Sequence, residues 1–201
     1  MNLINRFIPK NDKLQLMYDD PDLLDDMTQR IISWLPEDAS ELVVVCIGTD
    51  RSTGDALGPF TGSFLAELKP KYIHLYGTLD APIHAANMEE SIRSIRMRHQ
   101  NPYVIAIDAS LGKPASVGTI TVDTGSLKPG AALNKKLPAI GDIHITGVVN
   151  IGGFMEFSIL QNTRLSLVVS MAKRIAALMY QMDEQLVQQH ATAHKENKKM
   201  I

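Results

Sequence analysis

Two aspartates stand where a chain of this type could do chemistry. Asp55 lies in the segment Gly48-Thr49-Asp50-Arg51-Ser52-Thr53-Gly54-Asp55-Ala56-Leu57-Gly58-Pro59, and Asp108 closes the apolar run Val104-Ile105-Ala106-Ile107. Each follows a short buried-strand pattern, the place where a side chain comes to face a crevice at the edge of a sheet. Two carboxylates brought close in a poorly solvated site cannot both ionise cheaply, so one keeps a proton and the other gives it up. Such a pair can act as acid and base on a bound water. Its other use is to hold a divalent cation. Taken singly, Asp55 also reads as a cap for the helix that starts near Leu57, and Asp108 as a turn carboxylate.

The rest of the first loop adds backbone and hydroxyl groups. Its glycines, Gly48, Gly54 and Gly58, permit a tight turn or a close approach to a ligand. No Gly-Lys-Ser/Thr follows, so it is not a phosphate-binding P-loop, and the spacing of a dinucleotide fingerprint is missing. Thr49, Ser52 and the loop amides are candidates to steady an oxyanion. His84, in a loop after a strand, and Asn150, at the end of the last strand, are candidates to border the same crevice. His74 and His144 read as ordinary strand residues. No pair of histidines has the local spacing of metal ligands, and neither a metal nor another cofactor is expected. Asp123-Thr124-Gly125 matches the triplet of pepsin-like proteases, but those enzymes are all-β and need two copies; a turn after a strand accounts for it here.

These residues must be held by a framework, and the sequence outlines one. Pro21 opens a helix with Asp20 as its cap, and Leu23, Leu24, Met27, Ile31, Ile32 and Leu35 form its apolar stripe, with Asp25 and Asp26 turned to solvent. Residues 42–47 are a β-branched run, too short for a helix and too apolar for a half-exposed strand. A helix follows Pro59, then a strand over 71–76, a helix over 88–98, strands over 104–107, 119–122 and 143–149, and helices over 154–161 and 163–189. Strands alternating with helices imply an α/β fold: a mainly parallel sheet with helices on both faces. Residues 1–20 read as an arm, 21–189 as one domain, 128–142 as a loop rich in Pro and Gly, and 190–201 as a basic tail.

Composition narrows the function classes. The chain has 201 residues with 45% apolar and 21% charged side chains and a formal net charge of -2, which argues against a dedicated nucleic-acid binder and against disorder over most of the length. The lone Cys46, inside the apolar run, reads as a small buried hydrophobe. No stretch reads as a signal peptide or approaches the roughly 20 apolar residues that span a bilayer. The expected compartment is therefore the cytoplasm, with no membrane partner. The apolar last helix offers a face for a homo-oligomer.

Three segments together carry a resemblance: 48–59 with Asp55, the strand end Ile105-Ala106-Ile107-Asp108-Ala109, and Asp123-Thr124-Gly125 with the later run Lys128-Pro129-Gly130-Ala131-Ala132-Leu133-Asn134-Lys135. In order and spacing they resemble the spore germination protease, and residues 20–180 resemble the YyaC family of sporulation proteins, regarded as its relative. The resemblance implies a three-layer α/β/α sandwich shared with the hydrogenase maturation endopeptidases. It also implies an aspartic-type peptidase with Asp55 and Asp108 as its acids, acting in the forespore or mother cell on a protein or peptide, small acid-soluble spore proteins among the candidates. The maturation endopeptidases add a histidine for nickel recognition; the corresponding stretch 128–142 has none, so nickel is not expected. The germination protease is a longer chain, and its additional elements have no counterpart here. Two other readings stand beside the peptidase: a non-catalytic sporulation protein that binds a peptide or partner in the crevice, and a metal-dependent hydrolase.

Overall fold

A computed structural model describes residues 13–36, 39, 41–129 and 137–197, with side chains as far as 191. Most of the expected arm, the centre of the loop 128–142 and the end of the basic tail lie outside the described residues.

The described residues form one six-stranded sheet. Its order is β1 (Leu14–Met17), β5 (Thr119–Thr124), β6 (Ile143–Ile151), β4 (Tyr103–Gly112), β2 (Leu42–Cys46) and β3 (Ile73–Tyr76). β6, β4, β2 and β3 pair in parallel, whereas β5 runs antiparallel to both β6 and β1. The sheet is thus mainly parallel, as the alternation of strands and helices implies.

β2 shows why the fold has three layers. All five of its side chains are buried, and a strand sends alternate residues to opposite faces. Leu42, Val44 and Cys46 join one core, with α1 (Leu23–Trp34), α2 (Leu57–Leu68) and α5 (Leu165–Asn197). Val43, Val45 and Ile47 join a second core with Met88, Ile92 and Ile95 of α3 (Met88–Arg98). Each such side chain contributes roughly 1.5–3 kcal/mol by leaving water, so a strand buried on both faces anchors both layers. Cys46 is fully buried, and burial pushes its thiol pKa up, in keeping with an inert hydrophobe.

Two details differ from the sequence reading. Leu14–Met17, inside the expected arm, is an edge strand whose leucines turn inward and whose Gln15 and Met17 turn outward. Arg174 on α5 donates to the carbonyls of Tyr18 and Asp20 at 2.9 and 2.7 Å and ties this segment to the helical layer. Asp20 does not cap α1: its Oδ1 accepts the Asp22 N–H at 3.0 Å, closing a turn that precedes a helix starting at Leu23. Asp25 and Asp26 are exposed as expected. Among the described residues no helix is long and apolar enough to cross a membrane.

Candidate active site

The first loop is shaped by two glycines. Gly48 leaves β2 at φ +145°, where a Cβ would lie 2.0 Å from the Asp55 carbonyl oxygen. A side chain there would be both strained and obstructed. The Thr49 N–H donates to that carbonyl at 3.1 Å, so the loop closes on itself and fixes the backbone of Asp55. Gly58, in the first turn of α2, sits against β2: a Cβ would lie 2.0 Å from the Ile47 carbonyl oxygen. Between them Asp55 occupies a 3-10 turn, Gly54–Ala56, that leads into the helix without capping it by a side-chain hydrogen bond.

Asp108 is delivered differently from the sequence reading. The strand does not end at Ile107; β4 continues to Gly112, with an irregularity between Ser110 and Leu111. β2 ends first, its last paired residue Cys46 standing opposite Ile107. Asp108 is therefore one residue beyond the neighbouring strand, and the crevice exists because β4 outruns β2.

Asp55 and Asp108 line one cavity of about 460 Å³, together with Gly48, Thr49, Ser52 and His84. Burial pushes the Asp108 carboxyl up to about 8; the Ala109 N–H, donated at 2.8 Å, opposes this, and the Asp55 charge adds to it. The Asp55 carboxyl is also raised by burial and eased down by the adjacent Ser52 hydroxyl. Ser52 is 5% exposed, and its Oγ lies near Asp55 without making a well-formed hydrogen bond to any described residue.

His84 is held by its neighbours. Its N–H donates to Asn87 Oδ1 at 2.8 Å, and its Nδ1 accepts the Ala86 N–H at 3.2 Å. With Nδ1 accepting, the N–H of the ring is the one on Nε2. Gly48 N–H donates to the Ile83 carbonyl at 2.8 Å, which joins the histidine loop to the aspartate loop.

Two expected residues stand elsewhere. Gly54 packs behind the cavity, where a Cβ would lie 2.7 Å from Leu160 Cδ2. Asn150 does not reach the cavity: its Nδ2 donates to Ile159 O and Thr163 Oγ1, each at 3.2 Å, and ties β6 to the joint between α4 (Glu156–Gln161) and α5. The sequence places Asn150 at a strand end, but the helical joint folds over it. Arg51, Ser110, Phe157 and Gln161 line the cavity and were not singled out from the sequence. Arg51 and Ser110 had a signal, since each is within four residues of one of the acids. The others come from α4, whose place over the cavity no local pattern announces.

Asp123-Thr124-Gly125 belongs to the opposite end of the sheet. Because β5 runs antiparallel, its end faces the start of β6, with Asp123 opposite His144. Asp123 Oδ1 accepts the Thr124 N–H at 2.8 Å, Gly125 has φ +95°, and His144 Nδ1 donates to the Gly125 carbonyl at 2.9 Å. These are the contacts of a turn, as expected.

Comparison with known proteins gives three results. The family described as "Protein of unknown function (DUF1256)" matches residues 15–178. A Bacillus subtilis (strain 168) protein, "Uncharacterized protein YyaC", is 55% identical over 135 residues, 67% of this chain and 66% of that relative. The chain thus matches just under two thirds of the relative's length. The crystal structure of a NiFe hydrogenase maturation protease, HycI from Thermococcus kodakarensis KOD1, matches with a TM-score of 0.50 and 18% identity over 77% of this chain and 99% of that one. That last likeness is one of fold, and it is the α/β/α fold that the sequence resemblance implies.

Proposed function

The chain belongs to the DUF1256 family, and on that premise we propose that it is a peptidase of the germination-protease type, with Asp55 and Asp108 as its catalytic pair. The single observation that carries this reading is that the two carboxyls line one cavity, with the Asp55 charge adding to the raised pKa of Asp108. A protease-like fold supports it.

In the proposed reaction Asp108 enters protonated, because its carboxyl is pushed up to about 8. Asp55 enters ionised and takes a proton from a water between the two groups. The water oxygen attacks the peptide carbonyl carbon while Asp108 gives its proton to the carbonyl oxygen. The hydroxyls of Ser52 and Thr49 steady the developing charge; Ser52 Oγ makes no well-formed hydrogen bond to a described residue, and Thr49 Oγ1 accepts the Arg51 N–H at 3.3 Å, which leaves its own proton to donate. Collapse breaks the C–N bond: Asp55 gives its proton to the leaving amine nitrogen and Asp108 takes back the proton of the former carbonyl oxygen, so a carboxylic acid and an amine result and both groups regain their starting states. His84, with its proton on Nε2, orients the substrate.

The substrate class in this reading is a protein or peptide met in the cytoplasm of a sporulating or germinating cell, with small acid-soluble spore proteins as the first to try. The test is cleavage of those proteins by the purified chain, wild type against Asp55→Asn and Asp108→Asn. Loss in both variants supports the pair, and full activity in either one overturns it. Activity that EDTA removes from wild type and His74→Ala alike supports the metal-dependent alternative. No cleavage by the wild type of these or a broader peptide set moves the reading to a protein that only binds.

A further inference from the structure

A second constellation lies at the other end of the sheet. Glu41 precedes β2, His74 is the second residue of β3, and His99 follows α3. One donor atom from each lies within 4.8 Å of the other two, and among the described residues this is the one group of three or more His, Cys, Asp or Glu that converges in this way. His74 pairs with Val43, and the side chain of Val43 points to the face that α3 covers. The sheet register and the end of α3 therefore bring the two histidines together, and their ring centroids are 4.6 Å apart.

The hydrogen bonds around His99 are those of a ligand held in place. Its ring is 8% exposed; Nδ1 is 3.1 Å from Glu41 Oε2 and Nε2 is 2.8 Å from the Tyr76 hydroxyl. When Nε2–H is donated to Tyr76, the lone pair on Nδ1 points at a carboxylate. In that tautomer both atoms are free to ligate one cation; with the proton on Nδ1 instead, the same 3.1 Å contact is an ordinary N–H···O hydrogen bond. Metal-bound histidines characteristically donate their second ring N–H to a neighbouring acceptor, which fixes the tautomer and the orientation of the ring.

We propose that Glu41, His74 and His99 bind a divalent cation of the zinc class, with water completing the shell. Two imidazoles and one carboxylate suit a borderline cation such as Zn²⁺ better than Mg²⁺ or Ca²⁺, which take oxygen ligands. Metal–ligand bonds of about 2.0–2.2 Å put tetrahedral ligand atoms roughly 3.4 Å apart; Glu41 and His99, at 3.1 Å, already have that spacing, and the ion needs only a small closure of His74 upon them. His74 is exposed and gives the ion its way in. The site lies roughly 20 Å from the aspartate cavity, judged by the rise along β2, and it fastens β2, β3 and α3 to one another without touching the reaction.

The test uses the full chain, stripped with EDTA and desalted. Zinc binding is read by equilibrium dialysis and melting temperature, and the site geometry by the visible absorption of Co²⁺. The wild type is expected to hold about one zinc per chain and to melt several degrees higher with it. Glu41→Gln weakens binding on the order of 10–100-fold, and His74→Ala abolishes it together with the Co²⁺ bands. His74 is exposed, so that variant folds, and an unchanged melting temperature without zinc verifies this. His144→Ala, at the far side of the sheet, keeps wild-type binding. No zinc on the wild type, or wild-type binding by His74→Ala, overturns the proposal and leaves Glu41 and His99 as a hydrogen-bonded pair.

Discussion

Asp55 and Asp108 line the same cavity, and the charge on Asp55 raises the pKa of Asp108. Burial is the larger cause, and it acts because β4 carries Asp108 past the end of β2 into the space beneath the loop 48–59. A carboxyl in that position stays neutral at pH values where an ordinary aspartate is ionised.

The first prediction is a pH dependence of stability. The folded chain binds a proton on Asp108 up to about pH 8, whereas the unfolded chain releases it near the ordinary value of 3.8. Between these values the unfolded state holds fewer protons, so stability falls as pH rises, by at most about 1.4 kcal/mol per pH unit. The contribution is fully present below about pH 4 and lost as pH passes through about 8. An asparagine side chain at this position has no proton to lose, so Asp108→Asn flattens the slope and gains on the wild type at pH 8. Urea midpoints of both proteins at pH 5 and pH 8 measure this. Equal slopes would mean that Asp108 ionises as an ordinary carboxylate.

The second prediction concerns turnover. A general acid works only while protonated, so peptide cleavage falls as pH rises through about 8, and Asp108→Asn lowers it on the order of 10²–10⁴-fold below that pH, the gap narrowing above it. The rate profile of the wild type against pH, taken with the residual rate of the variant, checks both parts. A rate that stays level well above pH 8 would remove Asp108 from the role of acid.

The parts of this molecule that were legible in the sequence are those whose cause is local. β2 is five consecutive apolar residues, and its burial on both faces follows from composition alone. The crevice between Asp55 and Asp108 follows from the rule that parallel strands present their carboxyl ends to ligands. The parts that were not legible have distant causes. β1 is four residues long, and its partner β5 is a hundred residues away, so its short alternation reads as an arm. Asn150 stands at a strand end like a site residue, but α4 and α5 claim its amide. Glu41, His74 and His99 have no local spacing at all; only the parallel register of β2 and β3 and the end of α3 bring them together.

A third prediction follows from the packing of α2 on β2. With a Cβ placed 2.0 Å from the Ile47 carbonyl oxygen, Gly58→Ala must move either the helix or the strand. Neither is a flexible side-chain end, so the cost is on the order of 2–3 kcal/mol or more. Because the same displacement shifts Asp55, activity falls together with the denaturation midpoint. A variant as stable as the wild type would show that α2 has slack against β2.

The fourth prediction concerns a buried acid outside the cavity. Asp183 on α5 is 1% exposed, and its carboxylate accepts the N–H groups of Lys71, Tyr72 and Ile73 at 2.8, 2.7 and 2.9 Å. It holds the start of β3 to the long helix. Asp183→Ala leaves three backbone donors without this acceptor and is expected to cost on the order of 3 kcal/mol, while the conservative Asp183→Asn costs less. Thermal melts of the two variants rank them. If the alanine variant were the more stable, the carboxylate would not be what secures β3.

Ser52 separates a stabilising role from a catalytic one. Its hydroxyl is buried against the cavity and makes no well-formed hydrogen bond to a described residue, an arrangement that costs stability. Ser52→Ala removes that cost, so the variant is expected to be as stable as the wild type or more so by up to about 1 kcal/mol. The same hydroxyl lies beside Asp55 and is available to the oxyanion, so turnover falls on the order of 10–100-fold. A binding role alone would raise KM and leave kcat intact, whereas a role in the transition state lowers kcat. The kinetic constants and the melting temperature of one variant therefore decide why the chain keeps an unpaired hydroxyl there. Unchanged stability with reduced kcat assigns it to the reaction, and a loss of stability would show that it has a structural partner in solution.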